Sequence, residues 1–125
     1  MNSRVVITLP LPNPKLHAHA KGDWRGKVKP TRDLRSLACL LTKQEAPGVS
    51  WPAAAVSYRF WFPDLIRRDA ANAIQSMKAA IDGVKDSGLI PDDDWRHLSI
   101  GGVVCGVDRE SPRTELIFSR IAEMK

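Results

Sequence analysis

The chain has 125 residues, 43% of them hydrophobic and 26% charged, which leaves room for one core and excludes a second domain or a disordered chain. Its net charge of +5 is carried entirely between Lys15 and Arg35, where seven lysines and arginines face Asp23 and Asp33. A polyanion such as nucleic acid suits that segment, with a solvated surface as the plain alternative.

RVVITLP near the N-terminus has the β-branched content of a strand. Arg4 before VVITLPLP, with AHA at 18–20, imitates a secretory signal. The two prolines and the short apolar run argue against one, so a cytoplasmic protein is expected. In that compartment Cys39 and Cys105 stay reduced, and their wide spacing matches no metal or redox motif. Both are expected to be small buried hydrophobes.

From Pro10 to Pro30 the text has neither helical nor strand period and predicts a long loop. Thr31 is a cap candidate for a helix over TRDLRSLACLLTKQEAPG, with Leu34, Leu37, Ala38 and Leu41 on its apolar face. Residues 53–62, AAAVSYRFWF, alternate Val56, Tyr58, Phe60 and Phe62 with Ser57, Arg59 and Trp61, the period of a strand that Pro63 closes. A single helix is predicted from Asp69 to Ser87, with Ala70, Ile74, Met77, Ile81 and Val84 as its stripe and Gly88 as C-cap. RHLSIGGVVCGVD and RTELIFSRIAEM read as two strands joined around Arg109–Pro112 and paired as an antiparallel hairpin. The glycines of the first suggest a bulge, because they lack the spacing of a nucleotide-binding loop. The fold expected over 1–125 is therefore a single α+β domain, a mixed or mostly antiparallel sheet packed with two helices. SIGGVVCGV, uncharged but short, cannot span a bilayer, and no membrane role is expected.

The densest chemical signal is DDDW at 92–95. Three adjacent carboxylates repel one another and, unless solvated, call for a cation. Asp69 stands at the other end of a helix nearly 30 Å long by its residue count, so DDDW must fold back to meet it or be supplied by a second subunit. Plainer readings exist. Lys78 and Asp82 make an ordinary i,i+4 pair worth about 0.2–0.5 kcal/mol, and Asp69 could be only an N-cap with Arg67 and Arg68 as solvated neighbours. His17 and His19 lack the further ligands of a zinc site. Trp24, among basic residues, is a candidate stacking contact for DNA, whereas Trp61 on its strand is expected to pack between layers or subunits.

The stretch RRDAANAIQSMKAAIDGVKDSGLIPDDDWRHL resembles the RusA family of Holliday-junction resolvases, commonly of phage or prophage ancestry. That family opens a helix with Arg-Asp-x-Asp-Asn, carries a lysine and an aspartate farther along it, and follows with a Gly bend and an Asp-Asp pair. Arg68, Asp69, Asn72, Lys78, Asp82, Gly88, Asp92 and Asp93 match, and VVITLPLPNP with a later WRGK looks like the family's N-terminal half. The resemblance implies a homodimeric, Mg²⁺-dependent endonuclease of DNA recombination and repair, free of small-molecule cofactors. It would nick two symmetry-related strands of a four-way junction in the cytoplasm of a bacterium or phage-infected cell. By position, Asp69 and Asp93 would be metal ligands with Asp92 adjacent, and Asp69, Lys78 and Asp93 would be catalytic, with Gln75 a rival for the lysine's place. Lys15, Lys21, Trp24, Arg25, Lys27, Lys29, Arg67, Arg68 and Asn72 would contact DNA.

Ala71 departs from this pattern. It stands where the family has its second aspartate, and a methyl group cannot bind Mg²⁺. A junction binder that has lost cleavage, a deliberately disabled variant, and rescue by Asp94 or water are the competing explanations; an impaired form of an active nuclease is the reading adopted.

Overall fold

The structure, a computed structural model, describes residues 3–13, 16 and 25–122. In chain order the elements are β1 (Arg4–Leu9), α1 (Arg25–Glu45), β2 (Ala53–Phe62), α2 (Ala70–Gln75), α3 (Lys78–Asp86), β3 (Leu98–Val107) and β4 (Arg113–Ile121). The four strands form one mixed sheet in the order β1-β4-β2-β3, so the chain is a single α+β domain.

Strand alternation places Val5 and Ile7 of β1, Val56, Tyr58 and Phe60 of β2, and Leu116 and Phe118 of β4 in one core. Ala38, Met77, Ala80, Ile81 and Val84 of the helical segments pack into the same core. Phe60 and Phe118 are fully buried, and each such side chain contributes about 1.5–3 kcal/mol.

The final two strands do not form a hairpin. β3 runs parallel to β2 at the sheet edge, and β4 lies between β1 and β2, antiparallel to both. The helical connection returns the chain to the end of β2 from which it started, which makes β3 parallel. β4 then takes the central place because it is apolar on both sides: Leu116, Ile117 and Phe118 are all buried, while most of β3 is exposed. The expected bulge is present. Val56 pairs with Ile100 and Tyr58 with Val103, so β3 carries an extra residue at Gly101–Gly102.

Two helical expectations are also corrected. α1 begins at Arg25 and runs through Pro30, so Thr31 lies inside the helix rather than at its cap. Proline removes a bond to the carbonyl four residues back, here that of Gly26, an exposed residue. The predicted helix 69–87 is two helices. Ser76 Oγ donates to Asn72 O at 2.7 Å, and Met77 N reaches back only three residues, to Ile74 O at 3.0 Å. A serine bonded to its own helix in this way bends it. The interruption brings Ala73 rather than Ala70 into the core; Ala70 is exposed.

Cys39 is half-buried and Cys105 exposed, against the expectation that both lie inside, because Cys105 falls on the uncovered edge strand. Trp61 sits on the opposite side of the sheet from Tyr58 and Phe60, its Nε1 donating to Glu115 Oε1 at 2.5 Å. Among the described residues no helix is long and apolar enough to cross a membrane.

Candidate active site

The chain turns back at the end of α3. Gly88 has φ +90°, a left-handed conformation that glycine adopts without the Cβ penalty. Leu89 and Ile90 are buried immediately after it, and Leu89 O accepts from Trp51 N at 2.7 Å. These anchors carry DDDW back along α3 toward its first turn.

There Lys78 Nζ donates to Asp93 Oδ2 and, at 2.8 Å, to Asp82 Oδ1. The local pair read from spacing thus gains a carboxylate fifteen residues away. The hydrogen bond and charge of Lys78 hold the Asp93 carboxyl below its usual range against the effect of burial. Burial opposes the charge on Lys78, but Asp82 and Asp93 outweigh it and raise its pKa. Asp92 Oδ1 accepts from Asp93 N at 2.8 Å and lies 3.9 Å from Lys85 Nζ. A cavity of about 470 Å³ opens beside the cluster, lined by Tyr58, Ile74, Gln75, Lys78, Ile81, Asp93, Leu98 and Ile100. Gln75 and Lys78, the rivals for one role, therefore stand in the same cavity wall. Burial pushes the Tyr58 hydroxyl up to about 12, with Lys78 acting in the opposite direction, so the phenol is neutral near pH 7. Sequence reading placed Tyr58 only in the core, because its alternation with Val56 and Phe60 gives no sign of the neighbouring cavity.

Asp69 is the N-cap of α2, with extended backbone (φ −91°, ψ 118°). Its Oδ1 accepts from Ala71 N at 2.9 Å and Asn72 N at 3.3 Å; Oδ2 takes no hydrogen bond among the described residues. Asp69, Asn72, Arg67 and Arg68 line a second cavity, of about 480 Å³, with Phe62 and Pro63. Arg68 is fixed: its Nη1 is 2.8 Å from Asp64 Oδ1, and its guanidinium lies 4.6 Å from the centre of the Phe62 ring. Ala71 is exposed in the first turn beside Asp69.

The acidic residues thus fall into two groups, Asp82 and Asp93 on Lys78 with Asp92 beside Lys85, and Asp69 at the start of α2. Asp69 caps α2 and Lys78 opens α3, on either side of the break at Ser76–Met77. Asp94 belongs to neither group, since its Oδ1 contacts His97 Nδ1 at 2.6 Å and accepts from Arg96 N at 3.1 Å. No group of three His, Cys, Asp or Glu side chains that could hold a metal ion occurs among the described residues. Divalent cations of the Mg²⁺ type need several oxygens converging on one point, and Asp69, Asp92 and Asp93, the expected ligands, do not converge in that way among the described residues.

The basic residues Arg25, Lys27 and Lys29 lie in the first turns of α1, where the helix dipole favours anions rather than cations. Lys29 pairs with Asp33 at 2.8 Å. Lys27 is half-buried and shares a groove with Lys78. Lys15, Lys21 and Trp24, like His17 and His19, lie outside the described residues.

No protein-family model and no curated protein matches this chain.

Proposed function

We propose that the chain is a structure-selective endodeoxyribonuclease of the RusA type, acting as a homodimer on four-way DNA junctions, with cleavage impaired by Ala71. The observation that carries this reading is the return of Asp93 onto Lys78, which puts the Asp-Asp pair beside the first turn of α3, directly after the short helix that the RusA-like motif opens. Lys78 there can exchange a carboxylate partner for the non-bridging oxygens of a phosphodiester and stabilise charge that develops on them. Three cations at the positive end of α1 oppose the stability of that helix, a placement that favours an anionic partner over a purely structural role.

On this reading two copies share each acidic centre, and no hydrolytic step is assigned within one chain. β3 supports pairing of copies: its ten residues include no charge and no proline, and Ile100 and Val104 are 59% and 56% exposed. Edge strands of this kind are templates for another chain, and a two-fold protein suits paired nicks in a nearly two-fold junction.

A non-catalytic junction-binding protein is the second reading, favoured by Ala71 and by the engagement of Asp93 with Lys78. Incubation of synthetic four-way junctions with Mg²⁺, comparing this chain with Ala71→Asp, separates the two. Paired nicks from either protein support the nuclease. Selective junction binding with no cutting by either leaves the binder, and equal affinity for linear duplex removes both.

A further inference from the structure

We infer that Lys27 and Thr31 of α1, together with Gln75 and Lys78 across from them, form a subsite for a backbone phosphate of the strand that reaches the Lys78–Asp93 pair. This rests on the nucleic-acid reading above and deepens it.

The geometry begins with two helices lying side by side. Steps of four residues put Lys27, Thr31 and Arg35 on one ridge of α1 and Lys78, Asp82 and Asp86 on one ridge of α3. Arg35 joins Asp86 through Nε–Oδ2 at 2.6 Å and Nη2–Oδ1 at 2.9 Å, which closes the groove between the ridges at that end. At the other end the ridges stand apart around a space of about 200 Å³, lined by Lys27, Thr31, Gln75, Ser76, Lys78 and Asp82 among others. Lys27 and Thr31 also border a shallow channel with Arg32 and Arg35, so the groove continues as a basic track over α1.

The donors in this space match a phosphodiester. Lys78 is shared between Asp82 and Asp93, whereas Lys27 makes no ion pair among the described residues. An ammonium, a threonine hydroxyl and a glutamine amide give donors on both sides of one groove, the groups that position a strand by its phosphates without reading its bases. Lys78, shared with Asp93, offsets only part of the Asp82 charge, so the anion's net attraction at this end comes from Lys27.

The test is the salt dependence of four-way-junction binding, measured by fluorescence anisotropy between 50 and 200 mM salt, with folding checked by circular dichroism. Loss of one phosphate contact in Lys27→Ala should lower the slope of log K against log salt by about 0.9. Thr31→Val should weaken binding with the slope intact, since no charge is lost. Lys43→Ala, an exposed cation in the last turn of α1, should leave the slope as it is. If Lys27→Ala keeps the original slope, or Lys43→Ala lowers it equally, the subsite is wrong while junction binding stands. If the unaltered chain shows no salt-dependent binding, the nucleic-acid reading falls together with the subsite.

Discussion

The carbonyl of Arg35 lies where a side chain on Gly83 would begin: a Cβ built on Gly83 would sit 2.2 Å from that oxygen and 3.0 Å from the Cβ of Ala38. These two atoms and Cys39 N, also at 3.0 Å, all belong to α1, and two of the three are backbone, so none can rotate away. α1 and α3 therefore approach each other as closely as they do only because position 83 has no side chain, and the Arg35–Asp86 bonds lie one turn along the same contact.

Gly83→Ala is expected to destabilise the protein by about 1–3 kcal/mol, the usual range for overpacking a tight contact. Urea unfolding followed by tryptophan fluorescence should show a lower midpoint with an unchanged slope. A midpoint equal to the original would mean that the helices separate freely and that the contact is not a constraint.

Asp69 has a structural task whatever its chemistry, and two substitutions divide the roles. Asp69→Ala removes both cap bonds and should cost about 0.5–2 kcal/mol. Asp69→Asn keeps an acceptor at the cap and should stay within about 0.5 kcal/mol of the original. In the Ala71→Asp background, Asp69→Asn should nevertheless lose at least about 100-fold in junction cutting, the scale on which removing an electrostatic group acts. Cutting that follows stability alone would reduce Asp69 to a cap.

Placing a carboxylate at position 71 by Ala71→Asp should give paired nicking that depends on added Mg²⁺ and is abolished by EDTA. Adding Asp93→Asn to Ala71→Asp should remove the nicks while the affinity for junctions, read by gel shift, remains within a few fold. Nicks that survive Asp93→Asn would take Asp93 out of the chemistry.

The pair Lys78–Asp93 also sets a pH dependence. The folded pKa of Asp93 is lowered from 3.8, so its stabilising contribution is present above about pH 4 and is lost as pH falls through the depressed folded value. The folded pKa of Lys78 is raised from 10.5, so its contribution is complete below that value and is lost as pH rises through the higher folded one. Lys78 is 62% exposed at its side chain and Asp93 20%, and solvent screening keeps the pair to less than about 1 kcal/mol. Asp93→Asn should then be less stable than the original at pH 7 and converge with it toward pH 3. Parallel stability curves across that range would show that the pair contributes nothing.

Features decided within a few residues were legible in the sequence. Alternation identified β2, the Asp69 cap and Gly88 marked the outer limits of the α2–α3 segment, and the paired glycines of β3 marked its bulge. What was not legible depends on partners far along the chain. β3 and β4 follow each other through a short turn, which suggests a hairpin, yet burial on both sides of Leu116–Phe118 makes β4 central and sends β3 to the edge. Pro30 looked like a loop residue because a proline inside a helix forfeits a backbone bond, and nothing local shows that Gly26, four residues back, is exposed. The site divides in the same way: the spacing of Lys78 and Asp82 announces their contact, but Asp93 reaches them only because Leu89 and Ile90 are buried just beyond the Gly88 turn.

The ridges of α1 and α3 correspond in ascending order, Thr31 beside Asp82 and Arg35 beside Asp86, so the two helices point the same way. An antiparallel pair would cancel its dipoles; this pair adds them. The end that carries Arg25, Lys27 and Lys78 gathers both positive poles, and the far end, near Lys43 and Lys85, gathers both negative ones. A molecule polarised along one axis is turned by the field of a polyanion before the two touch. If nucleic acid is the partner proposed above, the helix arrangement acts on encounter as well as on docking, by biasing which end of the protein arrives first.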